Sequence, residues 1–223
     1  MKDSGCWELI SRDCKTMFIT FEGIDASGKS TQISLLEKRL IKLGYAVLKT
    51  KQPGGTSTGM KIREILLDPD NRKLQPEAEL LLYLADRIQH LRETILPALQ
   101  DGKIVLLDRY HDATVAYQGA GRGLDLDWIK PLEIEFLIKP EVTFLLLITP
   151  EESQKRLHLR NRLLNQQNCR FENENLAFFQ RIHQAYIEIS EKESDRFVLL
   201  DGLETQDKIH ERIFEILERK LAN

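Results

Sequence analysis

Cysteine is scarce in this chain of 223 residues: there are three, Cys6, Cys14 and Cys169, and no C-x-x-C pair. That usage excludes a disulfide scaffold, makes a structural zinc site improbable, and fits free thiols in a reducing compartment. Long apolar runs are missing as well. No stretch approaches the roughly 18 residues of a membrane span, and residues 1–16 mix Lys, Asp, Glu and Arg where a secretory segment needs unbroken apolar sequence. The expectation is a cytoplasmic protein with no membrane partner. Neither sign of charge prevails: 32 Lys plus Arg stand against 35 Asp plus Glu, a net charge of -3, so the balance gives no bias toward nucleic acid or anionic lipid. Linkers, internal repeats and low-complexity tracts are also lacking, which argues for one domain. With 42% hydrophobic residues, a chain of this length can bury roughly 70% of its unfolded surface and hold a core without metal or disulfide.

What is present is an alternation of two patterns. Residues 1–16 read as a poorly structured N-terminal extension, and residues 17–223 as a single domain. Short apolar runs at Met17–Glu22, Ala46–Thr50, Ile104–Asp108, Val142–Thr149 and Phe197–Leu200 predict strands, and their consecutive apolar residues suit a parallel sheet covered on both faces. Helical patterns lie between them, at about Ser30–Leu43, Thr58–Leu67, Pro76–Gln100, Trp128–Ile138, Glu151–Leu164, Asn175–Lys192 and Gln206–Leu221. Thr149-Pro150-Glu151-Glu152 has the form of a capping box with proline at the first helical position. The predicted architecture is α/β: three layers, with a central parallel sheet of five strands flanked by helices.

Gly23-Ile24-Asp25-Ala26-Ser27-Gly28-Lys29-Ser30 fits G-x-x-x-x-G-K-[ST], between the first strand and the helix that follows, as a phosphate-binding loop requires. The glycines let successive N–H groups curl toward phosphate oxygens, Lys29 adds a positive charge, and Ser30, followed by Thr31, offers a hydroxyl to Mg²⁺. Asp25 is an acid inside an anion-binding loop. It reads either as a solvated turn residue or as a partner for a second substrate's hydroxyl or the Mg²⁺ hydration shell. The strand Ile104–Asp108 ends in Asp108-Arg109-Tyr110, at the strand end where ligands collect in open α/β sheets. Asp108 can orient Mg²⁺ through water and Arg109 can clamp a phosphate; a structural ion pair is the plainer alternative.

A phosphate loop alone leaves several classes open. No N-K-x-D guanine-reading motif and no L-S-G-G-Q stretch occurs, and the chain is short for a motor ATPase, which leaves a small kinase with two nucleotide pockets best supported. A nucleotide-binding switch or sensor without turnover remains the alternative of another class. Tyr83 and Arg87, four apart on one helix face, read either as core and surface cation or as an aromatic platform and planar donor for a base.

The run Asp108-Arg109-Tyr110, continuing through Thr114-Val115-Ala116-Tyr117-Gln118-Gly119-Ala120-Gly121-Arg122-Gly123, resembles the D-R-Y-x-x-S-x-x-A-Y-Q-G-x-G-R-G stretch of bacterial thymidylate kinases. Phe21-Glu22-Gly23-Ile24-Asp25, Pro53-Gly54-Gly55-Thr56 and Leu82-Tyr83-Leu84-Ala85-Asp86-Arg87 agree with that family and keep its order, from about Met17 to the C-terminus. The resemblance implies a P-loop fold with a helical lid, over about residues 153–173, and transfer of the γ-phosphate of ATP to dTMP with Mg²⁺. It also implies a homodimer, for which the leucine-rich helix Leu80–Leu96 could supply a face or could equally be core. On it, Tyr83 stands where a phenylalanine usually stacks on thymine, Arg87, Thr114 and Gln118 contact the base, and Tyr117 crowds the sugar. Asp25 would accept from the 3'-hydroxyl, Pro53 would lie beside the acceptor, and Arg63 and Arg109 would hold its phosphate.

The lid carries Arg156, Arg160, Arg162 and Arg170, which on charge pattern alone also suits a solvated basic helix. Enzymes of this family that lack an arginine in the phosphate loop bring one from the lid, and Ala26-Ser27 supplies none, so Arg160 and Arg170 both stand as candidate catalytic arginines. Three departures from the family pattern bear on this region. Cys169 replaces the aspartate of D-R-[IF]-E, which should leave Arg170 less restrained; Asn161–Asn168 looks longer than the usual lid turn; and Gln52 replaces the glutamate of R-E-P.

Overall fold

The computed structural model describes residues 16–125, 127, 131, 137–165 and 169–222. Five strands form one wholly parallel sheet: β1 (Met17–Glu22), β2 (Val47–Lys51), β3 (Ile104–Asp108), β4 (Val142–Leu147) and β5 (Phe197–Asp201), in the order β2-β3-β1-β4-β5. The two-residue period of a strand sends alternate side chains to opposite faces. Phe21, Leu106, Phe144 and Leu146 face helices α1 (Lys29–Lys42) and the C-terminal Gln206–Ala222, through Leu36, Leu40, Ile213 and Leu217. On the other face Phe18, Val105 and Leu107 meet Leu91, Ile95 and Leu99, while Leu145 meets Phe178, Phe179 and Ile182. This gives three layers around a sheet whose central strands are buried except for the last residues of β3 and β4, and the fold class is the one the alternating pattern predicts.

Among the described residues, strand and helix positions agree with the sequence to within a residue or two, apart from three local differences. The helix expected over Pro76–Gln100 is divided: α3 (Pro76–His90) runs through a π-helical turn, Leu91–Ile95, into α4 (Leu96–Gln100). Pro97 has no N–H for the i→i−4 ladder, so the turn before it widens. Secondly, the stretch after Arg109 is helical, as α5 (His111–Thr114) continued by a π turn, Val115–Gly121, although its glycines and β-branched residues are poor helix formers. Packing decides there, since a Cβ on Gly121 would lie 2.8 Å from the Phe178 ring. Thirdly, β4 stops at Leu147 and Thr149 becomes the N-cap of α6 (Pro150–Leu164). Thr149 Oγ1 accepts from Glu152 N, but the Glu152 carboxylate turns to Arg156, so only half of the expected capping box forms. The helix expected over Trp128–Ile138 lies largely outside the described residues, as do residues 1–15 and 166–168.

After the lid helix come a single 3-10 turn, Phe171–Asn173, and two longer helices, α7 (Leu176–Lys192) and α8 (Gln206–Ala222). Leu80, Leu84, Leu91 and Ile95 are core, whereas Leu81 is 52% exposed. Among the described residues no helix is long and apolar enough to cross a membrane.

The loop from β2 to α2 (Ser57–Leu67) and the first turn of α2 are packed against α3 so closely that glycine is required. A Cβ on Gly55 would lie 2.1 Å from His90 Nε2, and one on Gly59 would lie 2.3 Å from Asp86 Oδ1. His90 itself is fully buried and shares a 2.8 Å hydrogen bond with Thr50 Oγ1. Burial lowers its pKa from 6.5 to about 4. The unfolded chain therefore binds a proton that the folded chain does not between those two values, and stability falls as pH drops below 6.5. From pH 7 to pH 5 this group is expected to cost about 2 kcal/mol. Urea melts of wild type and His90→Gln at both pH values measure it as the difference between their pH slopes; equal slopes would refute it.

Candidate active site

The site is built where the phosphate loop leaves β1. Gly23 has φ 130°, and a Cβ there would lie 2.4 Å from Leu146 O, so the loop can pass β4 only as glycine. Gly28, at φ 106°, is the N-cap of α1 and directs the helix N-terminus into the cleft. Lys29 folds back into this loop, with Nζ 3.0 Å from both Gly23 O and Ile24 O. Burial and the nearby Arg109 lower its pKa to about 8, against the upward pull of Asp108, Asp25 and Glu22. Ser30 Oγ donates to Asp108 Oδ2 at 2.7 Å, a pair of hard oxygen ligands at the end of the loop.

Beside it, Arg109 adopts φ 68°, a backbone conformation that a non-glycine residue adopts at a cost. This turns its guanidinium onto Asp25, at 2.7 Å to Oδ1, with Tyr186 Oη at 3.4 Å and the Tyr117 ring centroid at 4.8 Å. Burial alone would raise the pKa of Asp25, but Arg109 and Lys29 outweigh it and hold the carboxylate below its usual range. Beneath them lies Glu22, fully buried, which accepts from Tyr186 Oη and Tyr110 N at 2.7 Å each. Desolvation and the charge of Asp112 push its pKa up to about 7.

These groups open into a cleft of about 650 Å³, the size of a small-molecule site. Ala26, Gly28, Lys29, Ser30, Thr31 and Asp108 line the phosphate-loop side and Pro53, Arg63, Tyr83, Arg87, Thr114 and Gln118 line the rest; Asp25, Arg109 and Tyr117 meet where the two join, with Tyr117 Oη donating to Asp25 Oδ2 at 3.4 Å. Gly23, Ile24 and Ser27 of the expected loop lie outside this lining, Ile24 and Ser27 being buried. Arg87 is 4% exposed and so is not a surface cation; it donates to Gln52 Oε1, Tyr110 O and Thr114 Oγ1 at 3.2, 3.2 and 2.6 Å. Tyr83 does both things its spacing allowed, packing on Phe171 with centroids 6.3 Å apart while lining the cleft. Arg63 donates to Pro53 O at 2.8 Å.

The two candidate lid arginines occupy different settings. Arg160 lines the cleft, lowers the pKa of Asp25 through its charge, and is held by Glu172 at 2.5 Å. Arg170 is 8% exposed, does not line the cleft, and is fixed to Glu79 Oε2 at 2.6 Å and Leu66 O at 2.9 Å. The expectation that Cys169 would leave Arg170 loose is thus corrected: its restraint comes from α3 rather than from position 169. Tyr186 and Glu79 escaped the sequence reading because each sits inside an ordinary amphipathic helix with no motif around it. Arg156 was legible as a basic residue, but not its reach to Ala26 O and Gly202 O at 3.5 and 3.1 Å, which fastens the lid helix over the phosphate loop.

The arrangement offers converging cations and a helix N-terminus at one end, and an aromatic, amide and hydroxyl pocket at the other. Such a cleft can hold a polyphosphate facing a second, smaller anion. The family model for thymidylate kinase matches residues 21–213. The chain is 44% identical over 207 residues to the thymidylate kinase of Desulfosudis oleivorans, covering 91% of this chain and 97% of that one. It is 46% identical over 201 residues to that of Halothermothrix orenii, covering 89% and 94%. A crystal structure of thymidylate kinase from Ehrlichia chaffeensis superposes with a TM-score of 0.72 at 30% identity, covering 91% of this chain and 98% of that one. Fold, cleft and relatives agree, and the chain belongs to the thymidylate kinase family.

Proposed function

We propose that this protein is an ATP-dependent kinase that moves the γ-phosphate of ATP onto dTMP, giving ADP and dTDP on the route to dTTP. The observation that carries the reading is the single cleft in which the phosphate loop and the pocket of Arg87, Thr114 and Gln118 face each other across the Asp25–Arg109 pair. An oxygen of the acceptor phosphate attacks the γ-phosphorus as the bond to the bridging β–γ oxygen breaks. No covalent enzyme intermediate is needed, because catalysis here is positioning and charge stabilisation.

Lys29 and the loop N–H groups hold the donor phosphates, and Arg109 with Arg63 holds the acceptor phosphate. Asp25, kept ionised by Arg109, accepts from the 3'-hydroxyl, and Tyr117 lies against the sugar and favours a 2'-deoxy acceptor. Tyr83 offers its ring to the base, while Arg87 donates to a base carbonyl. Ser30 and Asp108 suit Mg²⁺, which would keep most of its coordination to phosphate and water and neutralise phosphate charge. Arg160, not Arg170, is the lid arginine assigned to the transferred group. A homodimer working in the cytoplasm is the accompanying reading, supported by the resemblance to the family.

A coupled ADP-release assay with Mg-ATP and dTMP, dUMP, dCMP, dGMP, AMP or water as acceptor tests this. Turnover should strongly favour dTMP. Comparable rates on another monophosphate would overturn the acceptor, and folded protein without dTMP-stimulated turnover would point to a nucleotide-binding switch instead.

A further inference from the structure

Glu79 lies on α3 one turn before Tyr83, is fully buried, and is not itself part of the cleft lining. Its carboxylate gathers three donor side chains from two segments, the Val115–Gly121 turn with its C-cap and the end of the lid. Gln118 Nε2 donates to Oε1 at 2.8 Å, Arg122 Nε to both oxygens at 3.2 Å, and Arg170 Nη2 to Oε2 at 2.6 Å. Arg122 is shared with Glu174 at 2.5 Å, and Arg170 continues to Leu66 O. A cluster like this fixes its members, since moving any one leaves a buried charge without its partner.

The consequence falls on Gln118. A primary amide carries a donor at one end and an acceptor at the other, and a half-turn about its last torsion exchanges them. A carboxylate ringed by guanidinium groups can only accept, so the amide nitrogen must face Glu79 and Oε1 is left toward the cleft that Gln118 lines. We propose that Glu79 is a specificity-positioning residue, which locks Gln118 so that it presents only an acceptor to the nucleobase. That acceptor takes the N3–H of thymine or uracil and opposes the lone pair that cytosine carries at N3. A carboxylate that never meets the substrate would thus decide imide against amidine bases. The same carboxylate holds Arg170, which ties the end of the lid to the base pocket. The inference rests on the acceptor-base assignment above.

The test compares kcat/KM for dTMP, dUMP and dCMP in wild type and Glu79→Gln, with thermal melts of both. The neutral amide in the variant lets Gln118 rotate. The dTMP-to-dCMP preference should then fall about tenfold, mainly through KM for dTMP, while the dTMP-to-dUMP ratio stays within twofold because both bases carry N3–H. A merely structural role would lower all three acceptors together, and an unchanged dTMP-to-dCMP ratio in folded variant would overturn the proposal. Wild type with no preference for dTMP over dCMP would overturn the base assignment and this inference together.

Should Glu79→Gln fail to fold, ¹⁵N spectra of the wild-type side-chain amides decide, with Gln118 assigned by its loss in Gln118→Leu. Its Nε2 protons should exchange slowly and shift little on saturation with dTMP. A large shift, showing that the nitrogen turns to the base, would overturn the proposal.

Discussion

Arg160→Ala is expected to lower kcat about a thousandfold, while KM for ATP and dTMP changes by less than tenfold. The reason is where charge develops. As the γ-phosphoryl group leaves ADP, negative charge spreads over its oxygens, and a cation already aimed at that point stabilises the transition state more than the ground state. Arg160 is the lid residue that both lines the cleft and acts electrostatically on Asp25. Glu172 pre-positions it by accepting from Arg160 Nη2 and also from Asn161 Nδ2, at 2.5 and 2.8 Å. Arg170→Met supplies the contrast. Removing a buried partner of Glu79 should cost about 3–5 kcal/mol of stability and be visible in a denaturant melt. A kcat for Arg160→Ala within tenfold of wild type would return the catalytic role to Arg170.

That contrast also shows what the sequence could and could not convey. Arg160 and Arg170 are alike as letters, both basic, both in the lid, both near a glutamate; only the arrangement of α3 against the lid distinguishes a cleft cation from a buried strut. The phosphate loop was fully legible because its chemistry is local: Gly23, Gly28, Lys29 and Ser30 are contiguous and their backbone needs are set by the residues themselves. The five strands were legible for a similar reason, since apolar runs such as Ile104–Asp108 and Val142–Leu147 can only be buried on both sides. Where long-range packing overrides local preference, the sequence was silent. The π turn over Val115–Gly121 depends on Phe178, some sixty residues away, and Glu79 depends on Gln118, Arg122 and Arg170. Nor did spacing indicate that Arg109 would take a left-handed backbone, which is what points it at Asp25.

Lys29→Met is the second large effect: kcat should fall about 10²- to 10³-fold and KM for ATP should rise, whereas the affinity for dTMP alone, measured by calorimetry, should change less than threefold. Lys29 belongs to the phosphate loop, whereas Arg87, Thr114 and Gln118 of the base pocket come from other elements of the same lining, so loss of the ammonium should be felt by the donor phosphates and by the group in flight. Its burial makes the charge count. Lys29 is 6% exposed, with Nζ among loop carbonyls, where burial and Arg109 already bring its pKa down to about 8. Asp108, Asp25 and Glu22 offset that penalty only in part; polyphosphate arriving beside Lys29 adds opposite charge, so part of its binding strength comes from relieving the remainder. Methionine keeps the length of the side chain but offers neither the charge nor donors to Gly23 O and Ile24 O. A parallel loss of dTMP affinity would mean that the loop itself had collapsed and that Lys29 acts as a brace for the whole cleft, contrary to the donor-side role assigned to it.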